Sequence, residues 1–519
     1  MKPSLLLHAA WSLLLAASLR ADITPAPLFR DGAVLQQGKP VAVWGRAEAG
    51  EKVIVAFGTQ KKEATAAADG RWKVMLDPLA ASATGSDLTM TGKNTVTVKD
   101  VLVGEVWICS GQSNMAWTVE RAKDFPAEAA AANFPLIRHF KVAQIGADSP
   151  ADTAEGDWVA CTPATVKDFS AAGYFFGREL HKVLGVPIGL VNTSYGGTPV
   201  ESWMSQEALS ADPGFGPVSE RWKKNLEAYP ALSKVYEERL AKWQADKAAA
   251  AKEGKEFKIR APRKPDGPGS RMAPSALYHA MVHPLIPYAV RGIIWYQGEA
   301  NAARFNEYGK LITAMVKQWR KDFGQGDLPF YYVQLANLER KPDASAQQWA
   351  FQREAQGAVL DLPNTGAALA IDIGDPENIH PANKQEVGRR LALIALAQAY
   401  EKGGEYAGPV FRSAKADGAA MRVAFDHASG LKFLNGTAAG FEVAGADQVF
   451  HPAAAEISGE EVLVKSAAVP APVSVRYAWR NNPEVSLYNA AGLPASPFRS
   501  DNWAPPANAF PEAISAEAN

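Results

Sequence analysis

Cysteine is scarce in this chain: Cys109 and Cys161 are the only two among 519 residues, too few for a disulfide scaffold. An oxidising compartment would let them pair, but Cys109 ends an apolar run where a buried free thiol serves equally well. Metal-ligand spacing is absent and no second thiol sits nearby in sequence, so Cys109 is not read as catalytic. An excess of charge is missing too. With 54 Lys and Arg against 55 Asp and Glu, the net charge of -1 supplies no field that would draw the chain to nucleic acid or anionic lipid. No internal repeat stands out, and after the first residues no apolar run reaches the roughly 20 residues that span a bilayer. What remains is 47% hydrophobic and 21% charged, an ordinary globular composition at a length that calls for two to four domains. The 14 Trp and 14 Tyr suit a carbohydrate partner, whose C–H faces stack on aromatic rings, although such residues are more often core.

The first 21 residues read as a secretory signal peptide: Lys2, the apolar run Leu5 to Leu15, then small residues up to Ala21 for cleavage. A mature protein starting near Asp22, secreted or periplasmic and free of the membrane, is expected; an uncleaved anchor is the alternative. Residues 22–100 alternate with period two (Val41, Val43; Val53, Val55, Phe57; Trp72, Val74, Leu76) between turns such as Asp31-Gly32 and Asp69-Gly70, which predicts a small β-sandwich.

Over residues 101–404 the texture changes to near-continuous apolar strands separated by helical stretches. The strands are expected at Val103 to Cys109, Ile188 to Val191, Gly292 to Tyr296, Phe330 to Leu335 and Ala367 to Ile371. Helices are expected at Tyr174 to Leu184, Phe305 to Phe323 and Lys384 to Tyr400. Such alternation predicts an α/β unit with a mostly parallel sheet. A charged helical insertion at about 213–270 interrupts it, with Pro230 expected to break it into two helices; a wall over the substrate and a peripheral hairpin are both open. Residues 405–519 return to short strands, a second β-domain with a frayed tail from Ala504 onward.

The passage Trp107-Ile108-Cys109-Ser110-Gly111-Gln112-Ser113-Asn114-Met115 runs an apolar strand into a polar turn, where open α/β sheets bind ligands. Ser113 there is a candidate nucleophile, with helix-start N–H groups to stabilise an oxyanion. Met115 stands where the α/β-hydrolase elbow Gly-x-Ser-x-Gly needs glycine, so that elbow is excluded, and alone such a Ser is more often a helix cap. Two further strand ends add support: Ser194-Tyr195-Gly196-Gly197-Thr198, whose glycines let backbone N–H groups approach a ligand, and Gln297-Gly298-Glu299-Ala300-Asn301, whose amides can donate to developing charge. Among eight histidines His380 stands apart, after the last strand and closely preceded by Asp372, Asp375 and Glu377, any of which can orient an imidazole.

Together with Phe169-Ser170-Ala171, Ile379-His380-Pro381 and Pro494-Ala495-Ser496-Pro497-Phe498-Arg499, these segments resemble the sialate O-acetylesterase-like carbohydrate esterases of the SGNH hydrolase superfamily, over roughly residues 25 to 500. The resemblance implies a flavodoxin-like three-layer α/β/α esterase domain flanked by all-β sandwich domains. In it Ser113 is acylated, His380 is general base and acid, and no cofactor takes part. The implied oxyanion donors are the Ser113 N–H, an N–H of Gly196 or Gly197, and an amide from Gln297 or, one residue out of the Gly-x-Asn pattern, Asn301. The acid three residues before His is usually Asp; Glu377 stands there, with Asp375 as competitor. The implied substrate is an O-acetylated carbohydrate, sialate or xylan among the options, and an inactive carbohydrate-binding protein or a lipase or thioesterase of the same fold are the alternatives.

Overall fold

The computed structural model describes residues 22–339 and 347–505. The expected signal peptide at residues 1–21 and the tail beyond Pro505 lie outside the described residues. The chain is a mixed α/β protein with several sheets. Its main sheet is built from β1 (Thr95–Gly111), β2 (Phe134–Lys141), β3 (Trp158–Cys161), β4 (Ile188–Ser194), β5 (Gly292–Tyr296), β6 (Phe330–Val333) and β7 (Thr365–Ala368), in the order β3-β2-β4-β1-β5-β6-β7. All neighbours are parallel except β3, which closes the edge antiparallel to β2. From β1 the chain passes out to β2 and the edge strand β3, returns to β4 beside β1, then crosses to β5 on the other side. The sheet therefore reverses its winding between β1 and β5, and a crevice opens there at the carboxyl ends.

Period-two side-chain alternation divides the sheet between two cores. Trp107, Cys109, Leu190, Ile294, Tyr296, Tyr331 and Val333 face one cluster with α1 (Ala171–Leu184) and α4 (Lys384–Gln398). Val106, Ile108, Val191, Ile293, Trp295, Phe330 and Tyr332 face the other, which includes Leu311, Ile312, Met315 and Trp319 of α3 (Phe305–Phe323). Local signals set the helix ends. Ser170 accepts a hydrogen bond from Gly173 N–H at the start of α1, and Asn383 does the same for Glu386 N–H at the start of α4.

Strand β1 is 17 residues long and passes residue 100 without a break. Its first half pairs antiparallel with Ser82–Thr91 among the N-terminal strands, its second half lies in the main sheet. After β7 and α4, two four-stranded antiparallel sheets share a core of Met421, Val423, Phe425, Val443, Val462, Val464 and Tyr477.

The expected break at Pro230 is corrected. The insertion forms one helix, α2 (Gly216–Lys252), with Pro230 inside it. Most of this helix faces solvent, where the carbonyl freed by the missing proline N–H can bond water. It is tied to the body by paired Arg221–Glu307 hydrogen bonds of 2.8 and 2.6 Å, and to its own return limb by Trp243 Nε1 donating to the Ile259 carbonyl at 2.7 Å. Cys109 and Cys161 are both free and buried, and burial raises both thiol pKa values, that of Cys161 to about 11.

Candidate active site

Ser113 begins a single helical turn, Ser113–Ala116, directly after β1. Gly111 allows that turn: its φ is +130°, and a Cβ there would collide with the Tyr296 carbonyl on the adjacent strand. Gln112 N–H donates to the same carbonyl at 2.9 Å, so the turn is pinned to β5. His380 arrives 267 residues later in sequence, and its Nε2 lies 2.9 Å from Ser113 Oγ. That is the separation of a nucleophile from its general base.

The loop after β4 closes the other side. Tyr195 N–H donates to the Gly111 carbonyl at 3.0 Å, and a Cβ on Gly196 would sit 3.3 Å from Ser113 Cβ. Gly197 has φ +71°. Thr198 Oγ1 donates to the Tyr195 carbonyl at 2.7 Å and accepts from Trp203 Nε1 at 3.1 Å, which holds the loop closed. Among the described residues the N–H groups of Ser113, Gly196 and Gly197 donate to no protein group, so the backbone donors expected for an oxyanion are unspent, and Gly196 packs on Ser113.

The side-chain amides expected to join them point elsewhere. Gln297 and Asn301 are fully buried. Gln297 Nε2 donates to the Thr198 carbonyl at 3.2 Å and to Asn301 Oδ1 at 2.7 Å, using both of its hydrogens. Asn301 Nδ2 donates to Glu201 at 2.8 Å while its Oδ1 also accepts from Val200 N–H at 2.9 Å. Both amides therefore brace the Thr198–Glu201 segment from beneath, and the spacing that drew attention to them reflects that bracing. Gln112 is the amide beside Ser113 with donors unspent: its Oε1 accepts from Ala300 N–H at 3.3 Å, and its Nε2 bonds nothing among the described residues.

Nor does a carboxylate among the described residues reach His380. Asp375 Oδ1 accepts from Glu377 N–H at 2.9 Å inside a tight turn, and both side chains are exposed. The turn spends one acid on its own backbone and points the other at solvent. Asp372 is committed to Arg390, at 2.6 and 2.8 Å. What does touch the imidazole is Trp117, stacked on it at 4.7 Å between centroids and 16° between planes. Asp375→Asn and Glu377→Gln are each expected to change kcat less than about threefold, against the roughly 10⁴-fold loss seen when a buried Asp bonded to the catalytic His is neutralised; steady-state acetate release checks this.

Beneath the pair lies a buried polar group that sequence reasoning passed over. Asn114 donates to Glu299 Oε1 at 2.6 Å and to the Ile379 carbonyl at 2.9 Å, and accepts from Lys384 Nζ at 2.6 Å. One side chain thus joins the Ser113 turn, the β5 loop and the residue preceding His380. Burial raises the Glu299 pKa and lowers that of Lys384 to about 7. The His380 pKa is lowered to about 4, by burial first, then by Lys384 and Arg121. An imidazole must be neutral to act as a base, so a kcat/KM that depends on His380 in that role is expected to fall only as pH drops through about 4. Removing positive charge by Arg121→Gln favours the imidazolium and is expected to move that acid limb upward by a few tenths of a pH unit, roughly the size of an exposed, screened interaction. A pH profile with 4-nitrophenyl acetate reads both.

The sequence profile of the carbohydrate esterases described as sialic acid-specific acetylesterases matches residues 103–248 and 268–397, more than half of the chain. The chain belongs to that family. The esterase is 30% identical to human sialate O-acetylesterase over 79% of this chain and 77% of that protein, and 29% identical to the rat sialate O-acetylesterase over 90% and 92%. The crystal structure of a carbohydrate acetylesterase from Xanthomonas citri superposes on it with TM-score 0.79 at 39% identity, covering 93% of this chain and all of that one. Family membership makes the protein a carboxylic ester hydrolase.

Proposed function

We propose that the protein is a secreted or periplasmic carbohydrate acetylesterase of SGNH type, with an α/β/α esterase layer between β-sandwich domains, that works through Ser113 and His380 without a cofactor. The observation that carries this reading is the 2.9 Å approach of His380 Nε2 to Ser113 Oγ at the winding reversal of the sheet. As Ser113 attacks the acetyl carbonyl, His380 takes its proton. The oxyanion is met by the Ser113 N–H and an N–H of Gly196 or Gly197. His380 then protonates the departing sugar oxygen, and a water activated by the same imidazole releases acetate. With no carboxylate among the described residues bonded to His380, the imidazole is held by stacking on Trp117 and by the Ile379 carbonyl anchored on Asn114.

The names of the relatives bring O-acetylated sialate to the front of the substrate list, and the matched crystal structure adds acetylated carbohydrate more broadly. Acetate release across O-acetylated sialoglycan, xylan, pectin and mannan tests the reading. Release from at least one, with fluorophosphonate labelling at Ser113, is the expected result. No release and no Ser113 adduct would instead make the chain an inactive carbohydrate binder.

A further inference from the structure

Arg271 lies at the end of the return limb of the helical insertion, beside the oxyanion loop. Its guanidinium sits 5.2 Å from the centroid of the Tyr195 ring, and its Nη2 is 3.8 Å from the place a Cβ on Gly197 would occupy. Tyr195 and Gly197 flank Gly196, which packs on Ser113. Among the described residues Arg271 makes no ion pair and no hydrogen bond, and its buried Nε has no partner. Several other arginines of the α/β part are committed: Arg178 to Glu128, Arg291 to Glu105, Arg304 to Glu201 and Arg390 to Asp372. A guanidinium stays charged at every working pH and presents a planar fork of donors. Held on an aromatic face with no counter-ion, it is ready to take a planar anion from outside the protein.

Arg121 has a similar arrangement on the opposite flank. It sits 5.3 Å from the Trp117 centroid, without a carboxylate partner among the described residues, near enough to His380 to lower its pKa. Two guanidiniums without a carboxylate partner among the described residues thus lie near the Ser113–His380 pair, though the whole chain is almost neutral. Arg271 is the one seated against the oxyanion loop, within reach of a substituent on the ring that bears the acetyl group.

We infer that Arg271, stacked on Tyr195, is a specificity residue that binds a carboxylate on the acetylated sugar, so that acidic sugars are deacetylated in preference to neutral ones. The inference rests on the acetylesterase reading above and adds the residue that reads charge. Sialic and uronic acids both offer this carboxylate.

The test compares kcat/KM of the full-length enzyme with that of Arg271→Gln and Arg271→Lys on three substrates: O-acetylated N-acetylneuraminate, O-acetylated galacturonate oligosaccharide and O-acetylated xylo-oligosaccharide. The wild type is expected to prefer at least one acidic substrate over the neutral one. Arg271→Gln should reduce that preference by about 10- to 100-fold, mainly through KM, as expected for losing a hydrogen-bonded charge pair. Arg271→Lys should keep part of it, and added salt should weaken it in the wild type. Which acidic substrate responds identifies the source of the carboxylate. A wild type that favours the neutral sugar, or an Arg271→Gln variant that loses acidic and neutral turnover alike, overturns the inference. Failure of the acetylesterase reading looks different: wild type would release no acetate from any of the three, nor turn over 4-nitrophenyl acetate.

Discussion

Replacing Ser113 by Ala is expected to lower kcat by about 10⁵- to 10⁶-fold, the range seen when the nucleophile of a serine hydrolase is removed. His380→Ala should cost nearly as much, and the double variant hardly more than either, because in the proposed mechanism the two groups act as one unit, the proton leaving Oγ across the 2.9 Å contact. Residual turnover should stay above the uncatalysed rate, because the N–H groups of Ser113 and Gly196 remain in place to meet the oxyanion. Burst kinetics with 4-nitrophenyl acetate measure the loss, and fluorophosphonate labelling should vanish in Ser113→Ala while persisting weakly in His380→Ala. Full activity in Ser113→Ala would refute the mechanism.

The second large effect is expected at the buried group under the site. Lys384 and Glu299 are linked through Asn114, at 2.6 Å on each side. Lys384→Met removes the only cation bonded to this network among the described residues, the one that offsets Glu299, whose pKa burial raises. Breaking a buried pair from one side typically destabilises by about 3–5 kcal/mol. Glu299→Gln combined with Lys384→Met should recover a large part of that loss, since no buried charge is then left unpaired. Urea unfolding of the two single variants and the double variant reads the coupling. Asn114→Leu should disconnect both ions and also release the Ile379 carbonyl, allowing His380 to drift; a loss in kcat of about 100-fold is expected for a misplacement near 1 Å.

Much of the α/β layer was legible because its signals are local. Gly292 to Tyr296 and Phe305 to Phe323 form where period and length placed them, the strand expected at Val103 to Cys109 starts eight residues earlier at Thr95, and the others shift at their ends by a few residues. Strands β2 and β3 were missed. Phe134–Lys141 carries Pro135, Arg138 and Lys141, and Trp158–Cys161 has only four residues, so neither shows a continuous apolar run. Pro230 was overweighted, because one lost hydrogen bond is tolerable on a helix whose carbonyls face water.

By itself the sequence determined that Ser113, the Gly196-Gly197 loop and His380 lie in polar segments after separate strands, since a short turn following an apolar run is readable within a dozen residues. Only the tertiary structure decided which groups meet. It put His380 Nε2 on Ser113 Oγ and turned Asp375 and Glu377 away. It spent Gln297 and Asn301 on bracing and placed Trp117 on the imidazole. It also set Arg271, delivered by a long insertion, beside the oxyanion loop. The physical reason is that side-chain direction at a loop depends on the backbone turn and on partners hundreds of residues away, and neither leaves a period or a spacing in the chain.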